Sequence, residues 1–132
     1  MKLGHEAAFA KAFLPTEKRA RFVQNLAQTK RRKEVLVQLN DHLPYLRGYA
    51  TPVPSEQDFP LELEKLLIAK GAGATCHLIS EGLKADGHEL PLSEALRLIC
   101  LHDSGAILSC VAGHLAYYRP APPGAGILLE RP

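Results

Sequence analysis

Seven cations crowd residues 16–34: Lys18, Arg19, Arg21, Lys30, Arg31, Arg32 and Lys33, against Glu17 and Glu34 alone. A helix so charged can meet phosphates or an acidic protein surface by long-range attraction. The four consecutive cations at 30–33 would wrap around a helix, so one partner could touch only part of the run. The competing reading is a solvated helix face, or one matched by acidic residues elsewhere in the chain. Phe22 is the one aromatic within the segment, which argues against a platform for stacking single-stranded bases. No helix-turn-helix spacing, zinc-finger ligand set or RNP-type strand accompanies it.

Metal ligands are the next candidates. Cys76-His77, Cys100-x-His102 and Cys110-x-x-x-His114 supply suitable atoms, but not the spacing of structural zinc sites. Adjacent Cys76 and His77 would point to opposite faces of a strand, so one ion could use only one of them. The cysteines therefore read as small buried hydrophobes, and no metal or cofactor is assigned. Catalytic letters occur as well. His102-Asp103-Ser104 contains triad residues, yet triads are assembled by a fold and not by adjacency. Asp86 with His88-Glu89 suggests an acid/base pair placed on a solvated turn. Ser80 and Glu81, with residues 102–114, mark where a small enzyme would have its pocket. Nothing near Cys110 in sequence would activate it as a nucleophile. Gly71-Ala72-Gly73-Ala74-Thr75 imitates a phosphate loop in the wrong order, since a helix precedes it and a strand follows.

These residues must be held by elements that the pattern partly reveals. Residues 5–14 place Phe9 and Phe13 on one side of a short helix, which Pro15 ends. Thr16 and Glu17 then open a helical stretch from 17 to about Leu39 or His42, without internal Gly or Pro. It reads either as one long helix or as two broken near Thr29. Phe22, Leu26, Leu36, Val37 and Leu43 cluster on one side, with Val23 and Leu39 at the margins. Lys33 interrupts that stripe, and an unpaired charge there would be costly to bury. The middle of the stretch should therefore lie outside the core.

Residues 48–60, rich in proline, read as a semi-rigid linker. A short helix over 60–70 follows, with Asp58 as its expected cap and Leu63, Leu66 and Leu67 as its apolar face. Residues 74–80 read as a strand that is apolar except for His77. Asp86-Gly87 marks a turn, and Leu92, Ala95, Leu96 and Ile99 repeat at helical spacing. Residues 106–112 and 115–119 read as a hairpin, with glycine first in a turn centred on Gly113-His114. Of Tyr117 and Tyr118, one should pack inward and the other face out. Residues 127–129 supply a final edge strand.

The expected fold is α+β: a helical amino-terminal half packed on a small, mainly antiparallel sheet of three to four strands, with two further short helices. One domain spans 1–132, divided into a helical region (1–47), the linker (48–60) and an α+β core (61–132).

Composition agrees with a globular chain, with 132 residues, 46% hydrophobic and 23% charged. The net charge of +2 conceals an asymmetry. Residues 1–50 hold ten Lys/Arg and four Asp/Glu, whereas residues 51–132 hold six and ten. Three cysteines without a CxxC, an amino terminus with His5 and Glu6, and no long apolar run together suggest a cytoplasmic protein. The function expected is a non-enzymatic binding or regulatory module whose basic helix engages an acidic protein surface or nucleic acid. The alternatives are a homo-oligomerising interaction protein and the small enzyme already described.

Overall fold

The computed structural model describes residues 2–40, 43–122 and 125–132, the side chains of residues 2 and 3 excepted. Helix α1 (Lys2–Phe13) ends before Pro15. Its buried stripe is Glu6, Phe9, Ala10 and Phe13, the i, i+3, i+4, i+7 spacing of one helix face. Helices α2 (Thr16–Leu26) and α3 (Thr29–Gln38) resolve the long stretch into two, with an extended Gln28 between them. No glycine or proline forces this break, so packing must. In an uninterrupted helix Leu26 and Val35 would lie on opposite sides, nine residues apart at 100° each. The break lets both reach the same core, at 3% and 5% exposure. Val37, expected on the buried stripe, is 48% exposed for the same reason. The expected helix end near His42 lies outside the described residues, as does part of the 120–124 loop.

Among the described residues the sheet has six strands where three to four were expected: β1 (Ala50–Pro52), β2 (Thr75–Ser80), β3 (Glu89–Pro91), β4 (Ala106–Val111), β5 (Leu115–Arg119) and β6 (Ile127–Glu130). Their spatial order is β1-β6-β5-β4-β2-β3, with every pairing antiparallel. The two missed strands, β1 and β3, are three residues long and end in Pro52 and Pro91. Such strands are too short to show alternation, and proline suits an edge because it has no N–H to donate. Residues 48–60 thus carry one of the two edge strands, and β6, expected at an edge, is paired on both sides. In the β4–β5 hairpin, His114 N–H bonds the Val111 carbonyl, so Gly113 (φ +77°) is the second central turn residue and not the first.

Helices cover both faces. Leu78, Leu108, Tyr117 and Leu128, cross-strand neighbours in one row, pack with α4 (Pro60–Ala69) and α5 (Leu92–Cys100). Ile79, Ile107, Tyr118 and Leu129 point the other way, into the core made with α1, α2 and α3. Both tyrosines are therefore buried, Tyr117 on one face and Tyr118 on the other. Tyr118 Oη donates to the Leu39 carbonyl at 2.7 Å. Asp58 does not cap α4, whose N-cap is Phe59 without a side-chain bond. Its carboxylate instead accepts from Tyr117 Oη, from Arg119 Nη1 at 3.1 Å and from Gly126 N–H at 3.0 Å.

Candidate functional site

The basic segment divides into two sets. Arg32 projects from α3 toward α1 and uses every donor it has. Nη1 and Nη2 bond the two Glu6 oxygens at 2.9 and 2.8 Å. Nε and Nη2 bond the Asp86 carboxylate at 2.8 and 2.9 Å, and Nη1 also reaches the Leu26 carbonyl at 3.2 Å. A guanidinium carries five N–H donors, so none is left for a partner. Hydrogen bonds to Asp86 and Glu6 hold its proton more tightly than usual.

Arg32 thereby anchors a polar cluster between α1, α3, β2 and β4. His77 Nε2 lies 2.9 Å from Glu6 Oε2, and both side chains are 2% exposed. An ionised carboxylate only accepts, so Nε2 carries the hydrogen. The His5 ring stacks on His77 with centroids 5.3 Å apart, and its Nδ1 lies 2.8 Å from Ser109 Oγ. Asp86 also accepts the Ser80 N–H at 2.9 Å, which ties the turn after β2 to the same cluster. Burial pushes the Glu6 carboxyl up, but bonds from His77 and Arg32 and the guanidinium charge outweigh it, leaving it below its ordinary value. Among the described residues, no buried side-chain nitrogen or oxygen lacks a partner.

His77 stands out in the sequence as the polar residue within an apolar strand; Glu6 was missed, although its spacing from Phe9, Ala10 and Phe13 puts a charge on α1's apolar stripe. Register places His77 opposite Ser109, beneath the first turn of α1. Proximity of that kind is invisible before the strands are paired.

The second set faces outward. Lys18, Arg21, Lys30, Arg31 and Lys33 are exposed, whereas Arg19 is half-buried and its Nε donates to the Leu14 carbonyl at 2.9 Å. Lys18 and Arg21 of α2 and Arg31 of α3 converge on one groove of about 710 Å³. Phe22, Val35, Leu39 and Leu43 contribute apolar lining, and Glu17 and Glu34 stand beside the cations. Among the described residues, no carboxylate lies within ion-pair distance of these three cations.

No known protein family, curated protein or solved structure matches this chain.

The remaining candidates are dispersed. Cys76 and Cys110 are buried on the α4/α5 face, away from His77, and burial pushes the Cys76 thiol up to about 12. Burial raises the Cys110 and Cys100 thiols too, so none is poised as a thiolate. Among the described residues, no group of three or more His, Cys, Asp or Glu side chains is placed to hold a metal. Ser80 is fully buried, and its hydroxyl donates to the Gly105 carbonyl at 3.2 Å. Glu81 accepts from Asn40 Nδ2 at 3.3 Å, and His102 Nε2 donates to the Glu81 carbonyl at 2.8 Å. These contacts join loops and leave no aligned nucleophile and base. Asp103 and His88 are exposed. No described helix is long and apolar enough to cross a membrane.

Proposed function

We propose that the protein is a non-enzymatic binding module that receives an acidic protein segment in the groove between α2 and α3. The observation that carries this reading is the convergence of Lys18, Arg21 and Arg31 on one groove without a carboxylate partner among the described residues. Arginine favours carboxylate ligands because its planar fork bonds both oxygens at once. The occupant is a peptide and not a nucleic acid for two reasons. A duplex offers phosphates to the rim but nothing to Phe22 and the apolar lining, and Glu17 and Glu34 would repel its dense negative charge. An acidic segment with interspersed leucines satisfies both parts of the groove. Lys30 and Lys33, exposed but outside the groove lining, assist by attraction at longer range. Arg32 takes no part, because its donors are all bonded within the chain, and Arg19 lies outside the groove lining.

The test compares three probes by fluorescence anisotropy on the full chain at low salt: a Glu/Leu peptide, poly-L-glutamate and duplex DNA. The Glu/Leu peptide should bind most tightly, and the K18Q/R21Q/R31Q variant should lose at least about tenfold in affinity, as expected for lost charged hydrogen bonds. Tighter binding to DNA, no binding to either acidic probe, or an unaffected triple variant overturns the reading.

A further inference from the structure

The polar cluster under α1 holds more titratable groups than a structural staple needs. Glu6, Arg32 and Asp86 already join α1, α3 and the turn after β2. His5 and His77 add two imidazoles stacked 5.3 Å apart with planes inclined by 6°. We propose that His5 is a proton-operated latch on the first turn of α1: with its ring neutral and stacked on His77 the turn is seated on β2 and β4, and with its ring charged the turn is released.

The groups around the rings make the device one-sided. Glu6 of α1 bonds His77 and is also held by Arg32 of α3, which Asp86 braces from the turn after β2. Ser109 of β4, the partner of His5, is a neutral hydroxyl 1% exposed. Glu89 of β3 and Glu6 favour a charged His5, while His77 opposes it. Burial and then His77 keep His5 below the ordinary histidine value of 6.5. A histidine so depressed binds its proton more readily once unseated. Its contribution to seating is therefore complete above pH 6.5 and is lost as the pH falls through the folded-state value. Release stops at the first turn. Glu6 remains clamped by Arg32, and Phe9, Ala10 and Phe13 remain in the core.

The latch is independent of the groove and is tested without a ligand. Amide hydrogen exchange is followed on the full chain at about pH 7.5 and about pH 5.0, corrected for intrinsic rates, across the range where histidine titrates. Protection of residues 6–10 should fall several-fold at the lower pH while β4 and α5 hold theirs. His5→Phe, which keeps an uncharged ring in the stack, should abolish that difference. An NMR titration of native His5 gives a second readout: its midpoint should lie below that of an unperturbed histidine, and His77→Gln should raise it. Flat protection of residues 6–10 between the two pH values, or a native His5 midpoint at or above the ordinary one, overturns the proposal.

Discussion

Against α4 and α5 the sheet presents Leu78, Leu108, Tyr117 and Leu128, while against α1 and α3 the same strands present His77 and Ser109 beside Ile79 and Ile107. The first face is closed mainly by apolar packing, with one bonded group at its rim where Asp58 accepts from Tyr117, Arg119 and Gly126. The second is closed by directed bonds that admit one arrangement, because Arg32 must meet two carboxylates and a carbonyl together. Buried ion pairs return little net stability once desolvation is counted, but breaking one leaves a stranded charge. Helices α4 and α5 are thus held mainly by area, whereas the seating of α1 and α3 is held by geometry.

The sharpest way to break this contrast is Arg32→Met. It strands the buried Glu6 carboxylate and should cost about 3–5 kcal/mol in urea unfolding. The double variant Glu6→Gln/Arg32→Met should recover part of that loss, because the stranded charge is gone. A double variant no better than the sum of its parts would mean that the pair acts as two separate contacts.

Acid should separate the faces next. Glu6 sits below the ordinary glutamate value of 4.5, so its contribution is complete above that pH and is lost as the pH falls through the folded-state value. Urea midpoints measured between about pH 7 and pH 3 should decline most steeply below pH 4.5, and Glu6→Gln should flatten that part of the curve. The buried apolar, thiol and phenol groups packed with α4 and α5 contribute no such slope, since they stay neutral there.

The smallest effect belongs to the cations left free. Lys30 and Lys33 are exposed, and neither lies within ion-pair distance of a carboxylate among the described residues. The K30Q/K33Q variant should change stability by less than about 0.5 kcal/mol per site, measured by the same unfolding curve. The contrast between Arg32 and the nearby Lys30 and Lys33 would then be complete within one helical turn.

Much of the frame was legible. Pro15 ended α1 where it should, and helix α5 followed from the 3.6-residue repeat of Leu92, Ala95, Leu96 and Ile99. The α+β class followed from the succession of these elements. Strands β1 and β3 were not legible, because three residues ending in proline show no periodicity. Nor was the fate of the basic run. All seven cations look alike in sequence, and only their rotation about α2 and α3 decides which face solvent.

What the sequence determined by itself is the local vocabulary: where helices start and stop, which faces are apolar, and that Lys33 and His77 sit where charge and polarity are out of place. The tertiary structure alone decided what those oddities are for. Glu6 finds Arg32 across 26 residues, His77 across 71, and Arg32 finds Asp86 across 54. Pairings at such separations depend on strand register and on the break between α2 and α3, neither of which is written in any short window of residues. Periodicity reports how a segment sees its nearest neighbours, while a buried charge is stabilised by whatever the whole chain brings to it.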